Sequence, residues 1–515
     1  MRVAWLWMLL LLASPLTGHA AGCLAGAVMV RADDGQVMPL PGVSVSDGRQ
    51  VSSSDALGRW ELESPLAGPV FVVKPAGYAM PARADGLPGF WHADAGDGCD
   101  FELLAVDEGG AADDESLAVL VFSDPQTSDL RQVGYYRDAI VAPLEDGHGA
   151  DLGVTLGDVT NDDPQLYPAL NRATARLGVP WLHVPGNHDL DFEAGHDRDS
   201  LRSFHAVYGP DTFAWEEPQA VFVGLDNVVY RPDGHSGYVG GFREDQFEFL
   251  EAWLPTVSRD RLLVVMLHVP LFNTSAGRET FRRADRERLF QLLKPFPRVL
   301  VLSGHRHQLQ HVFHDVESGW HGAAPLHEFN VGAASGAFWS GVAGTDGVPD
   351  STMADGTPSG HARLVVDGQG GYRLSWHRAG HHADDDPGFT DAMALHAPRL
   401  LRRGAYPAWG VYANVYMGLE DTRVEFRVGD GEWRPMRKVL APDPRLVVEN
   451  VRDDLATELR GFDRSPEAGP STHLWRGALP TDLDAGEHRV EVRAFDRWQG
   501  EQRAWTRYRL VDAAP

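Results

Sequence analysis

Between residues 117 and 302 the chain repeats one pattern. A run of four to six apolar residues is followed by a polar turn, and then by a longer stretch with helical apolar spacing. The runs predict strands over Ala118–Phe122, Leu152–Leu156, Trp181–Val184, Ala220–Leu225, Leu262–Leu267 and Val299–Leu302. The stretches between predict helices over Asp129–Ala142, Gln165–Leu177, Arg243–Leu254 and Phe281–Leu293, with Asp129 and Asp285 as caps or first-turn acids. Alternation of this kind implies an α/β fold with substantial parallel pairing, in which ligands gather beyond the carboxyl ends of the strands.

The pattern differs on both sides. Residues 23–107 read as short strands over Ala27–Arg31, Gly42–Ser46, Arg59–Glu63, Val70–Lys74 and Phe101–Val106. Turn signals at Asp34-Gly35, Asp47-Gly48 and Leu57-Gly58 separate them, so a small β-sandwich is expected. A linker rich in acid, Gly and Ala runs from Asp107 to Ser116. Strands over Ala362–Val366 and Tyr372–His377 complete a central unit at 116–378. From 395 to 513 the chain is all-β, most clearly at Val411–Val415, Arg423–Val428, His488–Phe495 and Trp505–Leu510. The expected architecture is therefore multidomain, a central α/β unit between two all-β domains, and 515 residues suit about three domains.

Composition narrows the function classes. At 43% hydrophobic residues the chain can fill its cores, so long disorder is not expected. The net charge of −27 argues against a nucleic-acid-binding face. It permits an anionic substrate, because bound divalent ions reverse the local field. Arg2, the apolar run Val3–Leu16 and the small-x-small site Gly18-His19-Ala20 read as a secretory signal over 1–20. That run is too short to span a bilayer and no later stretch is long enough, so no transmembrane segment is expected. The mature protein is expected to be periplasmic or secreted. In an oxidising compartment the only two cysteines, Cys23 and Cys99, would form one disulfide tying the first domain's first strand to its last. The rival reading makes Cys23 a lipidated N-terminus after Ala20-Ala21-Gly22.

Five short motifs carry chemistry. Asp124-Pro125-Gln126, Gly157-Asp158, Gly186-Asn187-His188-Asp189, His268 and Gly304-His305-Arg306-His307 each follow an apolar run. A terminal-strand Asp is usually a cap, and a lone His is usually structural. Seven metal-competent side chains at successive strand ends reverse those odds. Hydrolysis of a phosphate ester needs a deprotonated water, neutralised phosphoryl oxygens and a stabilised leaving oxygen. Two divalent ions about 4 Å apart supply all three, held by mixed carboxylate, imidazole and amide oxygen with one bridging carboxylate. Asp158, behind the tight-turning Gly157, is the natural bridge.

These motifs resemble the calcineurin-like metallophosphoesterase superfamily, whose pattern is Asp-x-His, Gly-Asp, Gly-Asn-His-Asp/Glu, a lone His and Gly-His-x-His. The resemblance covers roughly 117–378 and implies two packed sheets with helices outside. The flanks resemble an exported bacterial subgroup with a transthyretin-like domain before the phosphoesterase and a β-rich domain after it. Ser340-Gly341 through Asp355-Gly356-Thr357-Pro358, and Arg493 to Arg497, look typical of the later part, and that segment could begin near 335, where the Gly- and Ser-rich stretch Gly336 to Gly341 starts. The resemblance implies two divalent ions, Mn, Fe or Zn, one held by Asp124, Gln126, Asp158 and His307. The other would be held by Asp158, Asn187, His268 and His305, with a bridging hydroxide as nucleophile. It implies that His188 stabilises or protonates the leaving oxygen and that Asp189 orients its ring. The family usually has His where this chain has Gln126. An amide oxygen is harder than imidazole and shifts preference weakly toward Mn or Fe.

Further residues carry weaker expectations. Arg306 is a candidate for the substrate phosphate. Asn161 and Asp162 read as pocket walls or, preferably, helix caps. His311, His314, His321 and His327 read as structural or surface residues, and the acidic histidine run 380–386 as a solvated loop. Tyr135, Tyr136, Trp339 and Trp475 read as packing aromatics. Val159-Thr160-Asn161-Asp162 replaces the Asp-Arg-Gly element of protein serine/threonine phosphatases, which argues against that subgroup. The expected substrate is a small or extracellular phosphate mono- or diester. The alternative is a catalytically weak protein that binds envelope or polysaccharide through its β-domains.

Overall fold

The computed structural model describes residues 23–513 apart from Pro65, Ala67, 94–97, 107–115, 233–236, Ala276, 381–385, Pro407 and Ala408. The leader at 1–20, most of the linker and the run 381–385 thus lie outside the described residues.

The first domain has two sheets. In one, Ala25–Arg31 pairs with Val37–Pro39, with Arg59–Glu61 and, in parallel, with Phe101–Ala105, which also carries Tyr78–Ala79. The other orders Val51–Ser53, Ser44–Ser46, Val70–Val72 and Trp91–His92. A disulfide joins Cys23 to Cys99. That bond occupies the Cys23 thiol, in line with the expected disulfide. The domain is not a free-standing bead. Phe71 meets Phe249 at 5.9 Å and Phe90 meets Trp215 edge-on at 5.8 Å, so its core runs into that of the central unit.

The central unit has two further sheets. One orders Trp181–Val184, Leu152–Leu156, Leu117–Phe122, Gly360–Val366 and Tyr372–Arg378, with the first three parallel. The other orders Thr212–Glu216, Ala220–Leu225, Leu262–Met266, Val299–Ser303, Leu326–Asn330 and Gln310–His314, with the middle four parallel. The antiparallel edge strands Thr212–Glu216 and Gln310–His314 were not expected. The first is buried on both faces, with Phe90 of the first domain packed on Phe213 and Trp215, which erases the period-two signal. The second is largely polar because it is an only partly covered edge.

The helices lie where expected but with different bounds. Asp129 caps Leu130–Tyr136, its carboxylate accepting from the Gln132 amide at 2.9 Å. α-Helix then gives way to a wider turn over Arg137–Val141 and a 3-10 turn over Ala142–Leu144. Pro143 explains the change, since its ring and missing N–H oppose a regular α-turn. The helix Tyr167–Thr174 follows a 3-10 turn at Pro164–Leu166. Arg243–Leu254 narrows to Glu244–Trp253, and Phe281–Leu293 to Arg283–Leu293.

The last domain is a β-sandwich with its own core. One sheet orders Met393–His396, Gly410–Val415, Pro470–Ala478 and Arg437–Pro442. The other orders Leu400–Arg402, Gly500–Val511, Gly486–Asp496, Val424–Val428 and Arg434–Pro435. An unexpected helix, Pro444–Leu455, opens on Asp443 as N-cap with Pro444 at its first position. Among the described residues no helix is long and apolar enough to cross a membrane.

Candidate metal centre

All five motifs sit at carboxyl ends of parallel strands, three from one central sheet and two from the other. The first three motifs follow Leu117–Phe122, Leu152–Leu156 and Trp181–Val184. His268 and the Gly304–His307 turn follow Leu262–Met266 and Val299–Ser303. Backbone bonds stitch the loops together. The Asp124 amide donates to the Gly157 carbonyl at 3.2 Å, Gln126 to Asp158 at 2.9 Å, and Gly304 to His268 at 2.9 Å.

The loops can meet only because the chain is locally contorted. Asp124, Gln126, Asp158, His305 and His307 all have φ between 39° and 74°, the left-handed region that costs non-glycine residues about 1–3 kcal/mol each. Five of seven proposed ligands share that cost, and such clustering marks functional sites. Gly157 has φ 87°, and a Cβ there would come within 2.6 Å of the His268 ring. Close loop approach and backbone turn both require glycine at that point.

Asp158, His268 and His305 offer ligand atoms all within 4.8 Å of one another. His268 has Nδ1 2.8 Å from the Leu156 carbonyl, so Nε2 faces Asp158 at 3.2 Å and the Asn187 amide oxygen at 3.1 Å. His307 has Nδ1 2.5 Å from the Gly336 carbonyl and turns Nε2 toward Asp124 at 3.4 Å. The structure thus places Asp158, Asn187, His268 and His305 in one group, and Asp124 with His307 in another beside it. The Gln126 amide nitrogen reaches Asn161 at 3.3 Å, while its oxygen is buried without a partner.

The donor set fits divalent ions. Asp124 and Asp158 are buried, and among the described residues neither pairs with a Lys or Arg. Buried, unneutralised carboxylates are costly. Left to themselves they draw protons onto the imidazoles: burial disfavours a charged His268, but Asp158 beside it raises the ring to about 9. Burial lowers His305 to about 4, and its buried Nδ1 lacks a hydrogen-bond partner. A neutral imidazole with an orphaned nitrogen and an orphaned amide oxygen are donors suited to a cation.

Three expectations are corrected. Asp189 does not orient His188. Its buried carboxylate accepts from the Gly186, Val159 and Thr160 amides and from the Tyr167 hydroxyl, so it staples the second motif to the third. Asp162 takes the role instead, with Oδ1 2.7 Å from His188 Nδ1. Nor is Asp162 a cap, because Asp163 accepts from the Gln165 amide at the helix start. Arg306 is not turned to the ligand set: it donates to Gln310 at 2.5 Å, lies 5.6 Å from the Phe272 ring centre and feels the Asp355 carboxylate. Sequence reasoning also missed Ser123, whose hydroxyl donates to Asp124, and the Gly336 carbonyl that fixes His307. A serine next to a ligand carries no sequence signal, and a carbonyl carries none at all. Tyr136, Trp339 and Trp475 are buried, as packing residues should be.

Family models match nearly the whole described chain in three consecutive pieces. They are the N terminal of calcineurin-like phosphoesterase over 30–105, calcineurin-like phosphoesterase over 117–309 and the C terminal of calcineurin-like phosphoesterase over 328–501. The chain belongs to the calcineurin-like phosphoesterases. Purple acid phosphatase 22 of Arabidopsis thaliana is 27% identical over 245 residues, 44% of this chain and 54% of that one. Purple acid phosphatase 21 of the same plant is 25% identical over 280 residues, 51% and 61%. The 3′,5′-cyclic adenosine monophosphate phosphodiesterase CpdA of Pseudomonas aeruginosa is 30% identical over 161 residues, 31% and 54%. The chain spans between half and two thirds of the length of the curated relatives it matches.

Proposed function

We propose that this phosphoesterase is exported and hydrolyses phosphate mono- or diesters with two divalent ions. One observation carries the reading. Two buried carboxylates without a Lys or Arg partner among the described residues stand amid imidazoles and orphaned donors contributed by five separate strand ends. Asp124, Gln126, Asp158 and His307 would hold one ion, and Asp158, Asn187, His268 and His305 the other. Bound there, the ions would neutralise phosphoryl oxygens and lower the pKa of a water.

The protein's own groups supply the rest. His188 is partly exposed beside the ligands, and Asp162 holds its Nδ1. Its Nε2 is therefore the atom placed to give a proton to the leaving oxygen. Its backbone amide donates to the bridging candidate Asp158 at 2.8 Å, which ties acid and ligand into one rigid turn. The relatives' names include phosphatases and a cyclic-nucleotide phosphodiesterase, which supports both ester types. The leader-like N-terminus and the disulfide support export.

The test is metal analysis and turnover of phosphomonoesters and diesters with Mn²⁺, Fe²⁺ and Zn²⁺ in turn. Asp158→Asn should lose bound metal and turnover together, by at least ~100-fold in rate if it bridges. Full metal-dependent turnover in Asp158→Asn would show the site to be misassigned.

A further inference from the structure

The stretch from Gly336 to Gly341 follows none of the five motifs, yet it is built into the metal centre. The Ala334 and Ser335 amides donate to the Ser123 and Asp124 carbonyls at 2.7 and 3.1 Å, and the Gly336 carbonyl receives the His307 ring. Trp339 is buried and donates from its indole to the Pro125 carbonyl at 2.9 Å. At the far end, Gly341 and Ala343 donate to the Asp463 and Arg460 carbonyls of the last domain at 2.9 and 3.0 Å. Phe338 sits between these anchors.

Phe338 breaks two rules at once. Its φ is 57° and that of Trp339 is 58°, a conformation bulky residues rarely adopt. It is also 54% exposed, although a large apolar ring is ordinarily buried. Its ring stacks on His307, with centres 4.4 Å apart and planes inclined by 25°. Holding His307 does not require the ring, because the Gly336 carbonyl already fixes that imidazole. On the other imidazole of the same turn, Tyr238 meets His305 edge-on at 6.1 Å. Aromatic surface therefore borders both histidines of the Gly304–His307 turn.

We infer that Phe338 is a shelf that selects phosphoesters whose alcohol carries a flat ring, by stacking on the ring's open surface. This rests on the hydrolase reading above. No atom of Phe338 takes part in the chemistry, so it is a specificity residue.

The experiment compares wild type with Phe338→Ala, Phe338→Leu and Phe338→Trp. Affinity for 2-phenylethylphosphonate relative to ethylphosphonate is measured by calorimetry on the metal-loaded protein. The kcat/KM for 2-phenylethyl phosphate relative to ethyl phosphate is measured alongside, with bound metal determined for each variant. Both preference ratios should fall ~5–10-fold in the Ala and Leu variants and persist in Trp, as expected for loss of an aromatic pair. Unchanged ratios in Phe338→Ala would overturn the inference and leave Phe338 as a buttress for His307. If wild type hydrolyses neither ester while the phosphonate preference falls in Phe338→Ala, the shelf stands and the hydrolase reading fails.

Discussion

At the scale of single residues, Asp162 fills the role that sequence suggested for Asp189. Asp189 follows His188 directly, yet its carboxylate is buried among three backbone amides, and burial, aided by Asp158, pushes it up to about 6. Asp162 lies 26 residues before His188 and holds its ring. The two can be separated by experiment. Asp162→Asn should lower turnover ~10-fold or more with metal content unchanged, since the ring loses its charged anchor. Asp189→Asn should lower the thermal midpoint and cost about 2 kcal/mol, because an amide presents donors to donors in a buried site. Equal effects of both substitutions on stability and rate would contradict this division.

At the scale of elements, the last domain reaches the metal turn through a buried polar chain. Asp355 accepts from the Leu309 amide at 3.0 Å, two residues past His307, and from Thr357 at 2.9 Å. His473 lies 3.2 Å from the same carboxylate and 2.6 Å from Asn414, which donates to Asp443 at 2.8 Å. Asp355→Ala should therefore destabilise the protein by about 2–4 kcal/mol and weaken metal binding ~10-fold. Unfolding and metal titration of the variant check the two effects. If metal affinity were unaffected, the chain would be structural only. The strands around the motifs were legible because each is a short, largely apolar run. The edge strands Thr212–Glu216 and Gln310–His314 were not, because burial by another domain and exposure at an edge both erase periodicity.

At the scale of the whole molecule, several histidines are buried as neutral rings away from the metal centre. Burial lowers His183 to about 3, and burial followed by nearby positive charge lowers His327 and His361 to about 3. An unfolded chain would protonate them near 6.5. Between those values the unfolded state binds more protons than the native one. Their contribution is therefore intact above about pH 6.5 and is lost as pH falls toward 3, at about 1.4 kcal/mol per pH unit for each ring. The thermal midpoint should drop steadily below pH 6, and His183→Leu should make that drop shallower. A slope unchanged by His183→Leu would show that the ring titrates normally in the native protein.

The sequence by itself pointed to the three-part architecture, the parallel strands and the seven candidate ligand positions, because these rest on local apolar runs and on side chains whose chemistry is legible one at a time. It also pointed to Gln126 as the departure from the family pattern. Only the tertiary structure decided which aspartate holds His188, which carbonyl fixes His307 and where Arg306 turns. Those outcomes depend on which loops touch: the partners of His188 and His307, 26 and 29 residues away, leave no trace in local pattern, and neither do Phe272 and Asp355 around Arg306. Tertiary structure likewise turned Gly336 to Gly341 from an irregular stretch into the rim of the site. Strain at Phe338 persists there only because anchors from two domains overdetermine the backbone.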